Sequence, residues 1–160
     1  MIKNNMIKYE VTVEEFSGFT RTEWRVDGKL HRLDGPAVEW SDGRKEWWVE
    51  GERHCLDGPA VEWSDGSKAY WVEGKCHRLD GPAIERSNGN KEYYVEGKLH
   101  RLDGPAVEYS DGDKWYYVEG IQLSEEEFLL KTQPTKKMTV SEIEEKFGFK
   151  VEIVSEQEIK

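Results

Sequence analysis

Long apolar runs are missing from this chain. No stretch of eighteen apolar residues occurs, and a membrane-spanning helix needs about that many. Residues 1–6 offer no apolar core of signal-peptide length, so a cytoplasmic protein, of a bacterium or of an infected cell, is expected. Cysteine is scarce: Cys55 and Cys76 are the only two, too few for a disulfide framework. Hydrophobic residues make up just 36%, low for a domain with one thick core. Basic residues are outnumbered 23 to 33, for a net charge of −10. Such a surface repels phosphate backbones, so direct nucleic-acid binding is not expected. There is no glycine-rich phosphate loop, no nucleophile elbow and no paired-cysteine metal motif. These absences predict neither an enzyme nor a cofactor.

Glycine (15) and tryptophan (7) are abundant, and they fall at fixed intervals. Leu-Asp-Gly-Pro-Ala begins at Leu33, Leu56, Leu79 and Leu102, always 23 residues apart. Gly43, Gly66, Gly89 and Gly112 keep the same phase, as do Gly28, Gly51, Gly74, Gly97 and Gly120. All four histidines, His31, His54, His77 and His100, are in register too. A constant period without insertions is the mark of a repeat array, whose stacked units share one long narrow core. Cys76 takes the position of Leu30 and Leu99, which predicts an ordinary buried or half-buried thiol.

Each unit reads as a β-hairpin. Ala37-Val38-Glu39-Trp40 alternates, Asp42-Gly43 supplies a turn, and Lys45 to Val49 returns. Glu50-Gly51 then opens a longer connection ending at Pro59, where the next strand starts without an amide donor. The expected fold is mainly β: an elongated single-layer antiparallel meander of stacked hairpins. Closing the hairpin on two residues, Asp42-Gly43, assigns the faces. Val38, Trp40, Lys45, Trp47 and Val49 form the core side. Ala37, Glu39, Glu46 and Trp48 form the other. That second face repeats as Glu62 with Trp71, Glu85 with Tyr94, and Glu108 with Tyr117. Cross-strand aromatics stabilise sheets by about 0.2–1 kcal/mol per pair. They are also enriched at interface hot spots, so this acidic and aromatic ladder is the predicted partner-binding surface.

The ends differ from the units. Residues 1–23 read as capping strands, residues 24–120 as the four hairpin repeats, and residues 121–160 as a small α/β cap or tail. Ser124 with Glu127 and Thr139 with Glu142 are capping boxes, each opening a short helix. Gly148 fits a helix stop, and residues 150–154 read as a closing strand.

The repeated His-x-x-Asp invites a metal or acid–base reading: His31 with Asp34, His54 with Asp57, His77 with Asp80, His100 with Asp103. Equivalent atoms in adjacent units lie two strands apart, roughly 9–10 Å. A zinc ion with ligand bonds near ~2 Å cannot bridge that distance. A histidine packing on the next unit, and an aspartate shaping its own turn, are the readings that remain.

The unit Trp/Tyr-Val-x-Gly-x-x-His-x-Leu-Asp-Gly-Pro-Ala-x-Glu-x-x-Asp/Asn-Gly resembles the MORN repeat and its bacterial variants. It is most similar to MORN-like repeats in proteins of tailed phages and some bacteria. The resemblance implies an elongated, curved β-sheet that mediates protein–protein contacts or self-association. For a phage protein it implies inhibition of a host factor, such as a defence protein, by occlusion. No membrane contact is expected from the acidic charge, which instead suits a protein partner with a basic surface. Two other functions fit the sequence. One is sequestration of a nucleotide signal near Arg32, Arg78, Arg86 and Arg101, a series that Cys55 interrupts. The other is a structural virion part, a homo-oligomer joined through its sheet edges.

Overall fold

A computed structural model describes residues 7–132, 139–148 and 150. It is a mainly β structure with an antiparallel meander and a small helical region at its C-terminal end. The first hairpin pairs Glu10–Phe16 (β1) with Phe19–Val26 (β2). These two strands, with Lys29–Leu30 paired to β2, open a 12-stranded sheet that continues through Val38–Trp40 and Lys45–Glu46, then through the equivalent strand pairs of each following unit. It ends on Ile121–Leu123.

The hairpin turn holds three residues, not the two that Asp42-Gly43 suggests. Gly43 N–H donates to the Trp40 carbonyl (3.0 Å), and Trp40 N–H donates to the Arg44 carbonyl (2.9 Å). Gly43 has φ 98°, and Asp42 Oδ1 accepts from Arg44 N–H at 2.9 Å. This is a type I turn followed by a glycine bulge. Glycine is required there because other residues rarely tolerate such a φ. The extra residue slips the register by one, so Val38 pairs with Glu46 and Glu39 with Lys45. A one-residue slip moves every side chain of one strand to the other face. The core side expected from the sequence is therefore corrected. Val38 (2% exposed) shares its face with Glu46, while Lys45 is exposed.

Each unit also contains a second hairpin that the sequence reading takes for a long connection. Trp48–Val49 pairs with Glu52–Arg53 around Glu50-Gly51, and the next two units repeat it. Both turn residues have positive φ, 52° and 84°, which defines a type I′ turn. A non-glycine residue in that region is strained by about 1–2 kcal/mol. The histidines offset this. His31 Nδ1 accepts the Glu50 N–H at 3.2 Å, and His54, His77 and His100 do the same for Glu73, Glu96 and Glu119. Each imidazole thus ties its unit to the turn of the next one. The role expected for the histidine, packing on the following unit, is the one observed.

The core is thin. Ala37, Ala60, Ala83 and Ala106 are all fully buried, with Val38, Val61 and Val107 beside them. Alanine fits because the two hairpins of a unit meet there: Trp47 N–H donates to Ala60 and Tyr70 N–H to Ala83, both at 2.8 Å. At the C-terminal end, helix Glu125–Thr132 (α1) is closed by the expected box, Glu127 N–H to Ser124 Oγ and Ser124 N–H to Glu127 Oε2. Helix Val140–Phe147 (α2) has the Thr139–Glu142 box and the Gly148 stop. The closing strand expected over residues 150–154 lies outside the described residues, apart from Lys150.

Cys76 is buried, and burial pushes its thiol up to about 12, with the Glu92 charge adding to the effect. Cys55 is half-buried. With Ellman's reagent at pH 8, Cys76 is therefore expected to react only after denaturation, since the thiolate is the reactive form. Rapid modification of both thiols in the folded protein is the opposing result.

Candidate functional site

The register slip separates the residues that the sequence places together. Glu39, Glu62, Glu85 and Glu108 stand on one face. Trp48, Trp71, Tyr94 and Tyr117 stand on the other, with Glu46, Glu92 and Trp115. Trp48 Nε1 donates to Glu46 Oε2 at 3.1 Å, and the Tyr94 hydroxyl donates to Glu92 Oε2 at 3.1 Å. The single acidic and aromatic ladder is therefore corrected to two rows. The physical reason is the bulge at Gly43 and its copies, which a sequence reading based on Asp-Gly alone does not show.

The glutamate face carries a different construction, centred on the Leu-Asp-Gly-Pro loops. In the first unit the Arg32 guanidinium lies over the Trp24 ring, 4.1 Å from its centroid. It donates to Asp34 (3.0 Å) and to the Pro36 carbonyl (3.1 Å), with Glu39 at 3.6 Å. The third unit repeats this. Arg78 sits 3.9 Å over Tyr70 and binds Asp80 (2.9 Å), the Pro82 carbonyl (3.2 Å) and Glu85 (2.6 Å). In the fourth unit Arg101 sits 3.9 Å over Tyr93, with Asp103 (2.7 Å), the Pro105 carbonyl (3.2 Å) and Glu108 (2.8 Å). Each arginine clamps its loop down onto an aromatic ring.

Charge follows from this geometry. Partial burial pulls the Arg78 and Arg101 guanidinium groups down. The hydrogen bonds to their Asp and Glu partners outweigh it, and both pKa values rise above the ordinary one. Asp80 and Asp103 are held below the usual carboxylate range, first by the hydrogen bond from their arginine. Three of the four arginines proposed as a basic pocket are thereby already neutralised by the chain's own carboxylates. The fourth, Arg86, pairs with Glu92 at 2.9 Å.

All four loops, the three clamped ones and the second, where Cys55 replaces the arginine, carry their leucines outward. Leu33, Leu56, Leu79 and Leu102 are 62, 76, 79 and 56% exposed. Open grooves run between the second and third loops and between the third and fourth. One is lined by Leu56, Asp57, Tyr70, His77, Arg78 and Leu79. The next is lined by Leu79, Asp80, Tyr93, His100, Arg101 and Leu102. The sequence reading missed this row, although the four leucines share the 23-residue phase. A leucine fixed in the middle of a turn motif, outside both strands, was the available signal.

Among the described residues no three His, Cys, Asp or Glu side chains gather as a metal site. No helix among them is long and apolar enough to cross a membrane. Fold and site together define a tandem array of paired β-hairpins carrying a row of leucine-tipped loops. No family model, curated protein or solved structure matches the chain.

Proposed function

We propose that the chain is a non-catalytic MORN-like scaffold that binds a protein partner along the leucine-tipped loop row. The observation that carries this reading is the four exposed leucines at one register, each beside an exposed aspartate, the last three with open grooves between their loops. Scattered surface leucines need no explanation, but an aligned apolar row rimmed by charge is the anatomy of an interaction surface. The arginine clamps support the reading because they hold three of the four loops down before binding, which lowers the entropy lost on association. The acidic balance favours a partner with a basic surface. Inhibition of a host factor by occlusion needs nothing more than such a surface.

The test is a pair of substitutions on exposed side chains. Leu79→Ser with Leu102→Ser is expected to abolish enrichment of a specific protein in affinity capture, with Tm changed by less than ~2 °C. Trp48→Ala with Trp71→Ala, on the opposite face, serves as the comparison. If the leucine variant retains full capture and the tryptophan variant loses it, the loop row is not the partner surface.

A further inference from the structure

The arginine clamp is complete in three units and incomplete in the second. There Cys55 stands where Arg32, Arg78 and Arg101 stand in the others. The backbone is unchanged. Cys55 N–H donates to the Trp71 carbonyl at 3.0 Å, just as Arg32 donates to Trp48, Arg78 to Tyr94 and Arg101 to Tyr117. Every group that receives a guanidinium elsewhere has its counterpart: the Trp47 ring, the Asp57 carboxylate, the Pro59 carbonyl and Glu62. Among the described residues, neither Asp57 nor Glu62 makes an ion pair.

The space is open as well. A Cβ built on Gly35, Gly81 or Gly104 would meet the arginine Cζ at 3.0, 3.2 and 3.2 Å. A Cβ on Gly58 would meet nothing within 4 Å. Two lysines flank Glu62 in the sheet, Lys45 and Lys68. They do not substitute for the missing group, because Lys68 and Lys91 flank the third unit in the same way: Lys68 pairs with Glu85, Lys91 pairs with Glu85, and Arg78 still binds Glu85.

We propose that the second unit is an arginine socket, filled by a guanidinium group that the protein partner presents. The identity of the occupant follows from the three filled copies. A planar fork reaches an aspartate, a carbonyl and a glutamate while its face stacks on an aromatic ring. An ammonium, a compact point charge, matches that set poorly, and the net charge of −10 draws basic surfaces toward it. The occupant belongs to the partner-binding reading above; the socket itself does not depend on it.

The experiment uses the full chain and a small probe. N-acetylarginine amide is titrated while the Trp47 indole N–H is followed by NMR. A saturable shift is expected with Kd on the order of 1–10 mM, with the neutral isostere N-acetylcitrulline amide and N-acetyllysine amide at least roughly five-fold weaker. Cys55→Arg should fill the socket from within, removing the shift and raising Tm by roughly 2–4 °C. Arg78→Ala should open a second socket over Tyr70, adding the Gly81 amide to the responding set. No saturable shift at Trp47, an equal response to citrulline, or a Cys55→Arg protein that still binds the probe overturns the proposal. Leu79→Ser with Leu102→Ser leaves the socket intact and should not alter the titration. Loss of partner capture and loss of the socket are therefore read separately.

Discussion

Replacing Glu46 with alanine is expected to cost about 2–3 kcal/mol and to lower Tm by roughly 5–10 °C, whereas the triple variant Arg44→Ser, Glu46→Ala, Arg53→Cys should recover most of that loss. Glu46 is a buried carboxylate, 6% exposed. One oxygen accepts from Arg44 at 2.5 Å, and the other accepts from Trp48 Nε1 at 3.1 Å and lies 3.3 Å from Arg53. Removing it leaves two part-buried guanidinium groups without their shared carboxylate and an indole N–H without its acceptor. The two arginine side chains are about a third exposed (33% and 31%), so solvent screens part of the penalty and the lower end of the range for broken buried pairs applies.

The recovery is argued from the chain itself. One unit later the same three positions hold Ser67, Ala69 and Cys76. They stand in the same framework, since Glu46 lies between Val38 and Val61, and Ala69 between Val61 and Ile84. Ala69 and Cys76 are buried at 1 and 6% exposure, and the Trp71 Nε1 they leave behind has no partner among the described residues. A buried ion cluster and a small uncharged set are thus alternative fillings of one space, as desolvation arithmetic leads one to expect. Measured by denaturant unfolding, the triple variant should lie within about 1 kcal/mol of the parent. If the three single losses instead add up in the triple variant, the groups are not coupled and this account fails.

The same comparison between units shows what could be read from the sequence. The 23-residue phase, the turn glycines, both capping boxes and the structural histidines follow from local chemistry that one unit states and the others repeat. The faces did not follow. Asp-Gly between alternating segments signals a two-residue turn, yet here Asp42 uses its side chain to accept the Arg44 N–H and the loop takes in Ser41 as well. Nothing in the composition of Ser-Asp-Gly separates these two closures. The difference lies in a few backbone hydrogen bonds, and it decides the face of every side chain in the strand. The turn at Glu50-Gly51 is hidden in the sequence for a related reason. A glutamate at φ 52° is a poor choice for a type I′ turn, and it is tolerated because a histidine 19 residues earlier holds its amide. The arginine clamps could be seen as a series with one gap at Cys55. Only the three filled units show what Trp47, Asp57 and Glu62, at the matching positions, would hold there.

The last unit has no successor, and Phe128 takes the successor's place. Where the third and fourth units set an arginine over Tyr70 and Tyr93, the Phe128 ring packs on Tyr116, tilted by 37° with centroids 4.8 Å apart. The Tyr116 hydroxyl donates to Glu125 at 2.7 Å, and Phe128 is the buried residue of α1, 4% exposed. Phe128→Ala is expected to undock α1 at a cost of about 2–3 kcal/mol, below the usual range for a fully enclosed phenylalanine because a short terminal helix can release instead of holding a cavity. Hydrogen exchange should show the amides of residues 121–132 opening while those of residues 38–95 keep their protection, because each unit of an array contacts only its neighbours. Leu130→Ala is the control: Leu130 is 77% exposed, and its loss should change nothing beyond about 0.5 kcal/mol. An uncovered terminal strand and aromatic face are a template for pairing with another chain, so light scattering of Phe128→Ala should report association that grows with concentration. If exchange instead rises uniformly across all units, the array unfolds as one body and α1 is an integral part of it, not a cap on its end.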